Sequence, residues 1–219
     1  MLPALCVSAS LLAHGILSAT AAAQAKPAAK PAAQPTPLEA SVDKLAKHPT
    51  VVAAAHAALD RWGTGSGAAR LIVGSRPVHS DLEAAIAEWR RAERAVLFPT
   101  GFAANLGVFE ALASRDAFIC SDELNHASII DGTRLSRSET AIFPHRDLDA
   151  LDALLGRARG RRAVVASDTV FSMDGDLADV DGLRAVCARH AALLVLDEAH
   201  AVLGPEVDAG DEDIVRVGT

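Results

Sequence analysis

Lysine is scarce and confined to one end of this chain. Lys26, Lys30, Lys44 and Lys47 are the only four in 219 residues, and none occurs from residue 48 onward. Tyrosine is absent and aromatics make up 4% of the residues while half are apolar, so any core is aliphatic. The three cysteines, Cys6, Cys120 and Cys187, have no CxxC spacing. That excludes a disulfide framework or zinc site and leaves buried or incidental thiols in a reducing compartment. The formal charge is −7, and the arginines are interspersed with acids, so the basic stripe of a nucleic-acid surface is missing. Long hydrophobic runs are missing too. The apolar stretch 2–17 is short and broken by His14 and Gly15, which gives no confident membrane span. No positive charge precedes it, as a signal peptide requires, although Ala23-Gln24-Ala25 has the form of a signal-peptidase site.

These features predict a signal-like or spurious segment at 1–25, a Pro/Ala-rich linker at 26–44, one large domain at 45–219 and a cytoplasmic location. Prolines 27, 31, 35 and 37 among alanines will not pack. Pro49 suits the first turn of a helix running to Trp62. The glycine run at 63, 65 and 67 fails as a dinucleotide fingerprint, because its spacing is GxGxG and a helix precedes it. Ser80 or Asp81 is placed to cap a helix with Leu82, Ile86 and Trp89 on one face. From there strands are expected at 95–99, 117–121, 141–144, 163–167 and 193–197. Helices are expected at 102–113, from 127, after Asp147 with Gly160 beyond its end, and at 179–190. The alternation predicts an α/β fold: a three-layer, mostly parallel sheet with helices on both faces.

The chemistry-bearing residues cluster at the expected strand ends. Asp197 and His200 leave the apolar run 193–196 at its carboxyl end, the edge where open α/β sheets bind ligands. A carboxylate there can keep a ring nitrogen protonated, and an imidazole beside it can steer a phenolate. Those are demands of pyridoxal 5'-phosphate (PLP), which usually has an acidic partner for its pyridinium. Gly101 opens a helix after a strand, where backbone N–H groups form an anion site. His126 follows the next strand and can stack on a flat cofactor; Ser172 lies in a loop after a third. Taken singly, these read as a strand–helix junction, a surface or core histidine and a turn serine. Together they fall at successive strand ends, so one crevice can hold them all. PLP enzymes normally hold the cofactor on a lysine, and none is present downstream of residue 47.

Five ordered segments carry a resemblance. They are Gly74-Ser75-Arg76-Pro77-Val78-His79-Ser80-Asp81-Leu82-Glu83, Gly101-Phe102-Ala103-Ala104-Asn105, Asn125-His126-Ala127-Ser128-Ile129-Ile130-Asp131-Gly132, Ser172-Met173-Asp174-Gly175-Asp176 and Asp197-Glu198-Ala199-His200. Over residues 45–219 the chain resembles the α-oxoamine synthase family. The resemblance implies a PLP-dependent homodimer of aminotransferase-like fold that condenses an amino acid with an acyl-CoA and releases CO2. The second and fifth segments look most like the members that join alanine to a pimeloyl thioester, giving 8-amino-7-oxononanoate for biotin. Members using glycine with acetyl- or succinyl-CoA, and a PLP aminotransferase or aldolase, are the alternatives. By position, the resemblance implies that Gly101 and Phe102 hold the cofactor and that His126 stacks on its ring. It further implies that Ser172 and His200 hydrogen-bond the cofactor, His200 at the phenolic oxygen, and that Asp197 pairs with the ring nitrogen.

Departures from that pattern matter equally. The family's Schiff-base lysine belongs to a Thr-x-x-Lys segment, and the sequence ends at Thr219, which matches its threonine as a further cofactor contact. The family's small carboxyl-terminal domain and its early substrate-carboxylate arginine have no counterpart. The chain as written is therefore expected to be an inactive fragment or a non-catalytic remnant.

Overall fold

The computed structural model describes residues 44–158, 160–201 and 214–218. Thr219, Lys26, Lys30, Cys6 and the segment 1–43 lie outside the described residues, so the expectations placed on them are not addressed by it. The chain divides into two units, 1–66 and 67–219. In the first, helix α1 spans Pro49–Trp62, with proline in its first turn and the His48 side chain accepting from the Thr50 N–H. It closes on Gly63 at φ 75°, a left-handed value that a side chain would strain.

The second unit carries the sheet. A π-helical turn, Arg70–Gly74, precedes α2 (Pro77–Arg90) and α3 (Gly101–Leu112). The chain then alternates through β1 (Phe118–Asp122), α4 (Ala127–Ser136), β2 (Glu139–Phe143), α5 (Leu148–Leu155), β3 (Ala163–Asp168), α6 (Val180–His190), β4 (Leu193–Asp197) and β5 (Ile214–Val217). The five strands are all parallel, in the order β2-β1-β3-β4-β5.

Side chains alternate strictly across this sheet, as a strand's period of two requires. Phe118, Cys120, Val165, Leu194 and Leu196 point to one face, where Leu151 and Leu155 of α5 and Leu183, Val186 and Cys187 of α6 cover them. Ile119, Val164, Ala166, Val195 and Val217 point to the other, under Phe109 of α3 and Ile129 of α4. A strand covered on both faces reads as a continuous apolar run, which is why β3 and β4 were visible in the sequence. Burial pushes the Cys120 thiol up to about 12, so it packs as a small apolar group and not as a nucleophile.

The strand order fixes where a ligand can sit. From β1 the chain moves outward to β2, then returns past β1 to β3. Crossovers between parallel strands are right-handed, so a reversal of direction switches the covering helix to the opposite face. Accordingly α4 lies with the second cluster, and α5 and α6 with the first. The reversal opens a crevice outside the carboxyl ends of β1 and β3.

Three expectations need correction. Residues 95–99 are not a strand. The Leu97 N–H donates to the Glu83 carboxylate and its carbonyl accepts from Arg70, so side chains replace the ladder partners a strand needs. Neither Ser80 nor Asp81 caps α2: the helix begins at Pro77, with Arg76 as N-cap and the Arg76 N–H donating to His79 Nδ1. The apolar side of α2 is also poorly covered, with Trp89 57% exposed. Finally, α5 ends at Leu155 and is closed by Gly156, not by Gly160.

α3 and α4 approach so closely that Gly132 has no room for a side chain. An added Cβ would lie 2.8 Å from Phe109 Cδ2 and 3.1 Å from the Asn105 carbonyl oxygen. Gly132→Ala is expected to lower the unfolding free energy by about 1–3 kcal/mol, the usual cost of overpacking. Urea titration followed by circular dichroism measures this, and an unchanged midpoint would show that the two helices move apart freely.

Candidate functional site at the carboxyl edge of the sheet

β1, β3 and β4 each end on an aspartate, Asp122, Asp168 and Asp197, and all three are buried. What each carboxylate accepts distinguishes them. Asp122 takes the N–H groups of Leu124 and Arg146 and contacts His145 Nδ1 at 2.9 Å. Its oxygens are spent on the loops after β1 and β2. Asp168 Oδ2 accepts the His126 N–H at 3.0 Å across the β1–β3 crevice. Asp197 Oδ2 accepts from Asn105 Nδ2 at 2.7 Å and its Oδ1 from the Ala199 N–H at 2.9 Å. Two donors hold that carboxylate in place, and its remaining lone pairs are available for a cationic N–H.

Asn125 holds the crevice together where the β1–β3 ladder stops. Its Nδ2 donates to the Ala166 carbonyl at 2.8 Å and to Ser121 Oγ, while its Oδ1 accepts the Asp168 N–H at 2.9 Å. One side-chain amide thus replaces a strand's donor and acceptor where the backbones diverge.

Next to it, His126 is the N-cap of α4, with its Nδ1 accepting the Ser128 N–H at 3.2 Å and lying 2.7 Å from Ser128 Oγ. The ring edge is tied down and the residue is exposed, which leaves the ring able to stack. Ser128 Oγ also accepts from Asn105 Nδ2 at 2.8 Å, so His126 and Asp197 share one buried network through Asn105.

Gly101 and Phe102 open α3, the helix that carries Asn105. Thr100 caps it, its Oγ1 accepting the Ala103 N–H at 3.0 Å. The first N–H groups of a twelve-residue helix face outward there, favouring an anion. Ser172 sits on an exposed turn after β3, pinched by the bridge between Val170 and Leu177. His200 sits on an exposed turn after β4. The structure therefore joins His126 and Asp197 through Ser128 and Asn105, and places Gly101 and Phe102 on the helix that carries Asn105. Ser172 and His200 lie on neighbouring loops, outside that hydrogen-bonded set.

The sequence reading gave no role to Asn105, Ser128, Asn125, Asp168 or His145. The signal for Asp168 was present, since it closes an apolar run as Asp197 does. Burial, reinforced by the Asp197 charge and more weakly by Asp122, pushes the Asp168 carboxyl up to about 7, against the opposing His126 hydrogen bond. A folded-state value above the unfolded one means the folded protein keeps a proton that the unfolded chain has lost. Stability therefore falls as pH rises from about 4 to about 7. Asp168→Asn should flatten that part of the pH–stability curve and raise stability at pH 8. An unchanged pH dependence in urea unfolding would contradict this.

His145 braces the Ser172 loop. Its Nε2 lies 2.6 Å from Asp176 Oδ2, and its ring meets Phe171 edge-on at 4.3 Å. Burial lowers its pKa, but Asp176 and Asp122 outweigh this and the net shift is upward.

Comparison with known proteins matches this arrangement to one group. The family model described as aminotransferase class I and II matches residues 39–217. A curated 8-amino-7-oxononanoate synthase of Anaeromyxobacter sp. (strain K) is 52% identical over 163 residues, covering 74% of this chain and 41% of that protein. One from Mycolicibacterium smegmatis is 46% identical over 158 residues, covering 72% and 41%. Among solved structures, serine palmitoyltransferase of Sphingomonas wittichii superposes with TM-score 0.69 at 36% identity, covering 71% of this chain and 39% of that one. A serine palmitoyltransferase variant from S. paucimobilis with a bound PLP–myriocin aldimine gives TM-score 0.69 at 33% identity, covering 71% and 40%. The chain spans about two fifths of the length of the curated relatives it matches.

Proposed function

Because the chain belongs to the aminotransferase class I and II family, with α-oxoamine synthases as its relatives, we propose that residues 67–219 form the cofactor-binding part of a PLP-dependent acyltransferase. The reaction joins an amino acid to an acyl-CoA and releases CO2 and free CoA. The narrowest form takes alanine and pimeloyl-CoA to 8-amino-7-oxononanoate, in keeping with the names of the most similar curated relatives. One observation carries the cofactor assignment: a buried carboxylate, Asp197, tied through Asn105 and Ser128 to the exposed ring of His126.

The residues present fit PLP. The amino end of α3, with Gly101 and Phe102, suits its phosphate. The His126 ring suits stacking on the pyridine, and Asp197 suits the ring nitrogen. His200 and Ser172, on the exposed turns after β4 and β3, would supply hydrogen bonds to the cofactor. When bound, PLP supplies the electron sink for the bond broken at the amino acid's Cα. Asp197 keeps the ring nitrogen protonated, so that the sink stays cationic, and its two N–H donors hold it oriented. His126 excludes water from one ring face. In PLP enzymes the lysine that holds the cofactor usually also moves the Cα proton, and no lysine lies between residues 48 and 219.

The assay follows from that division. These residues, joined to a lysine-bearing remainder of the fold, should release CO2 and CoA from alanine, pimeloyl-CoA and PLP. The 219-residue chain alone should bind PLP weakly and form no product. Transamination without CoA release would overturn the reading. Serine palmitoyltransferases at 33–36% identity make serine with a palmitoyl thioester the second reading. A panel of acyl chain lengths separates the two.

A further inference from the structure

We propose that Asn105 is a positioning residue whose single amide group orients the Asp197 carboxylate and fixes the tautomer of His126. The cofactor half of this inference rests on the reading above; the tautomer half does not.

The hydrogen bonds allow one assignment. Asn105 is 1% exposed, and its Nδ2 has two hydrogens and two acceptors, Asp197 Oδ2 at 2.7 Å and Ser128 Oγ at 2.8 Å. Rotating the amide by half a turn would set Oδ1 against the Asp197 carboxylate, acceptor against acceptor. The Asp197 charge therefore selects the orientation, and Oδ1 is left buried without a partner among the described residues. A buried amide oxygen left unmatched is costly, and native structures seldom keep one without a reason. Here the reason is that both hydrogens are in use.

The consequence passes to His126. Ser128 Oγ accepts from Asn105, so its own hydrogen is free to point at His126 Nδ1, 2.7 Å away. The Ser128 backbone N–H is directed at the same nitrogen. With two donors aimed at it, Nδ1 must be the acceptor, and the ring proton resides on Nε2. One chain of donors thus runs from Asn105 to the carboxylate on one side and to the imidazole on the other. The acidic partner and the stacking ring are set together.

The test uses the 219-residue chain with 15N-labelled histidine and the variants Asn105→Ala, Asn105→Ser and Ser128→Ala, with His126→Asn assigning the signals. Wild type should show His126 as the Nε2–H tautomer. Ser128→Ala should shift it toward a mixture. Asn105→Ala should disturb the tautomer and weaken PLP binding at least tenfold, read by absorbance titration. Asn105→Ser stands in for Asn105→Ala if circular dichroism shows the latter unfolded. An Asn105 variant that is folded yet keeps both the wild-type tautomer and PLP affinity overturns the proposal. If wild type binds no PLP while the tautomer still depends on Asn105, the cofactor reading fails and the positioning role stands.

Discussion

Asp197→Ala is expected to weaken PLP binding on the order of 100-fold while leaving the sheet folded. The loss combines two effects of about 1–3 kcal/mol each, removal of a charge-assisted hydrogen bond to the ring nitrogen and the stranding of a buried donor. The stranded donor is Asn105 Nδ2, which loses its carboxylate partner. Asp197→Asn should weaken binding similarly, because a neutral amide carries no charge to keep the pyridinium protonated. Both variants remove the charge that helps push Asp168 up to about 7, so the Asp168 pKa should fall in each. Absorbance titration with PLP reads the first effect and the pH dependence of urea unfolding reads the second. Undiminished PLP affinity in a folded Asp197→Ala protein would remove the basis of the cofactor assignment.

Glu198→Ala should produce the largest stability change in the molecule, about 3–5 kcal/mol, the cost of breaking a buried ion pair by deleting one partner. Glu198 is 2% exposed and lies between two arginines. Arg216 of β5 contacts its Oε1 through Nε at 2.9 Å and Nη2 at 2.8 Å, and Arg90 at the end of α2 holds Oε2. Its backbone N–H also donates to the Val217 carbonyl. The residue therefore joins α2 to β4 and β5 immediately after Asp197. Without it, two poorly solvated guanidinium groups lose their counter-charge. Replacing both arginines as well should cost less than the sum of the separate changes, since the residues form one network. Chemical denaturation measures the loss, and a change below about 1 kcal/mol, the level of an exposed pair, would show that solvent reaches the cluster.

The sequence carried most of the sheet because doubly covered strands and capped helices are local signals. β4 was expected and found at 193–197, and α1 at 49–62. The expectation failed at 95–99, where propensity favours a strand but Glu83 and Arg70 take the backbone groups. That outcome depends on residues fourteen and twenty-seven positions away, which no local pattern reports. It failed again at α2, where the serine and aspartate are good caps by type but Pro77 had already begun the helix behind Arg76.

The site divides in the same way. The sequence alone determined the residue types at the strand ends, the absence of lysine beyond residue 47 and the order of five motifs that resemble one family. It also supplied three expected strands, 117–121, 163–167 and 193–197, with an aspartate at or just after the end of each and nothing local to tell their roles apart. Only the tertiary structure assigned them. Asp122 is consumed by the loops after β1 and β2, Asp168 spans the crevice to the His126 backbone, and Asp197 meets Asn105 from a helix ninety-two positions away. The physical reason is that a carboxylate's role depends on which donors reach it and how much water remains. Both follow from strand order and helix placement, which bring together residues far apart in the chain.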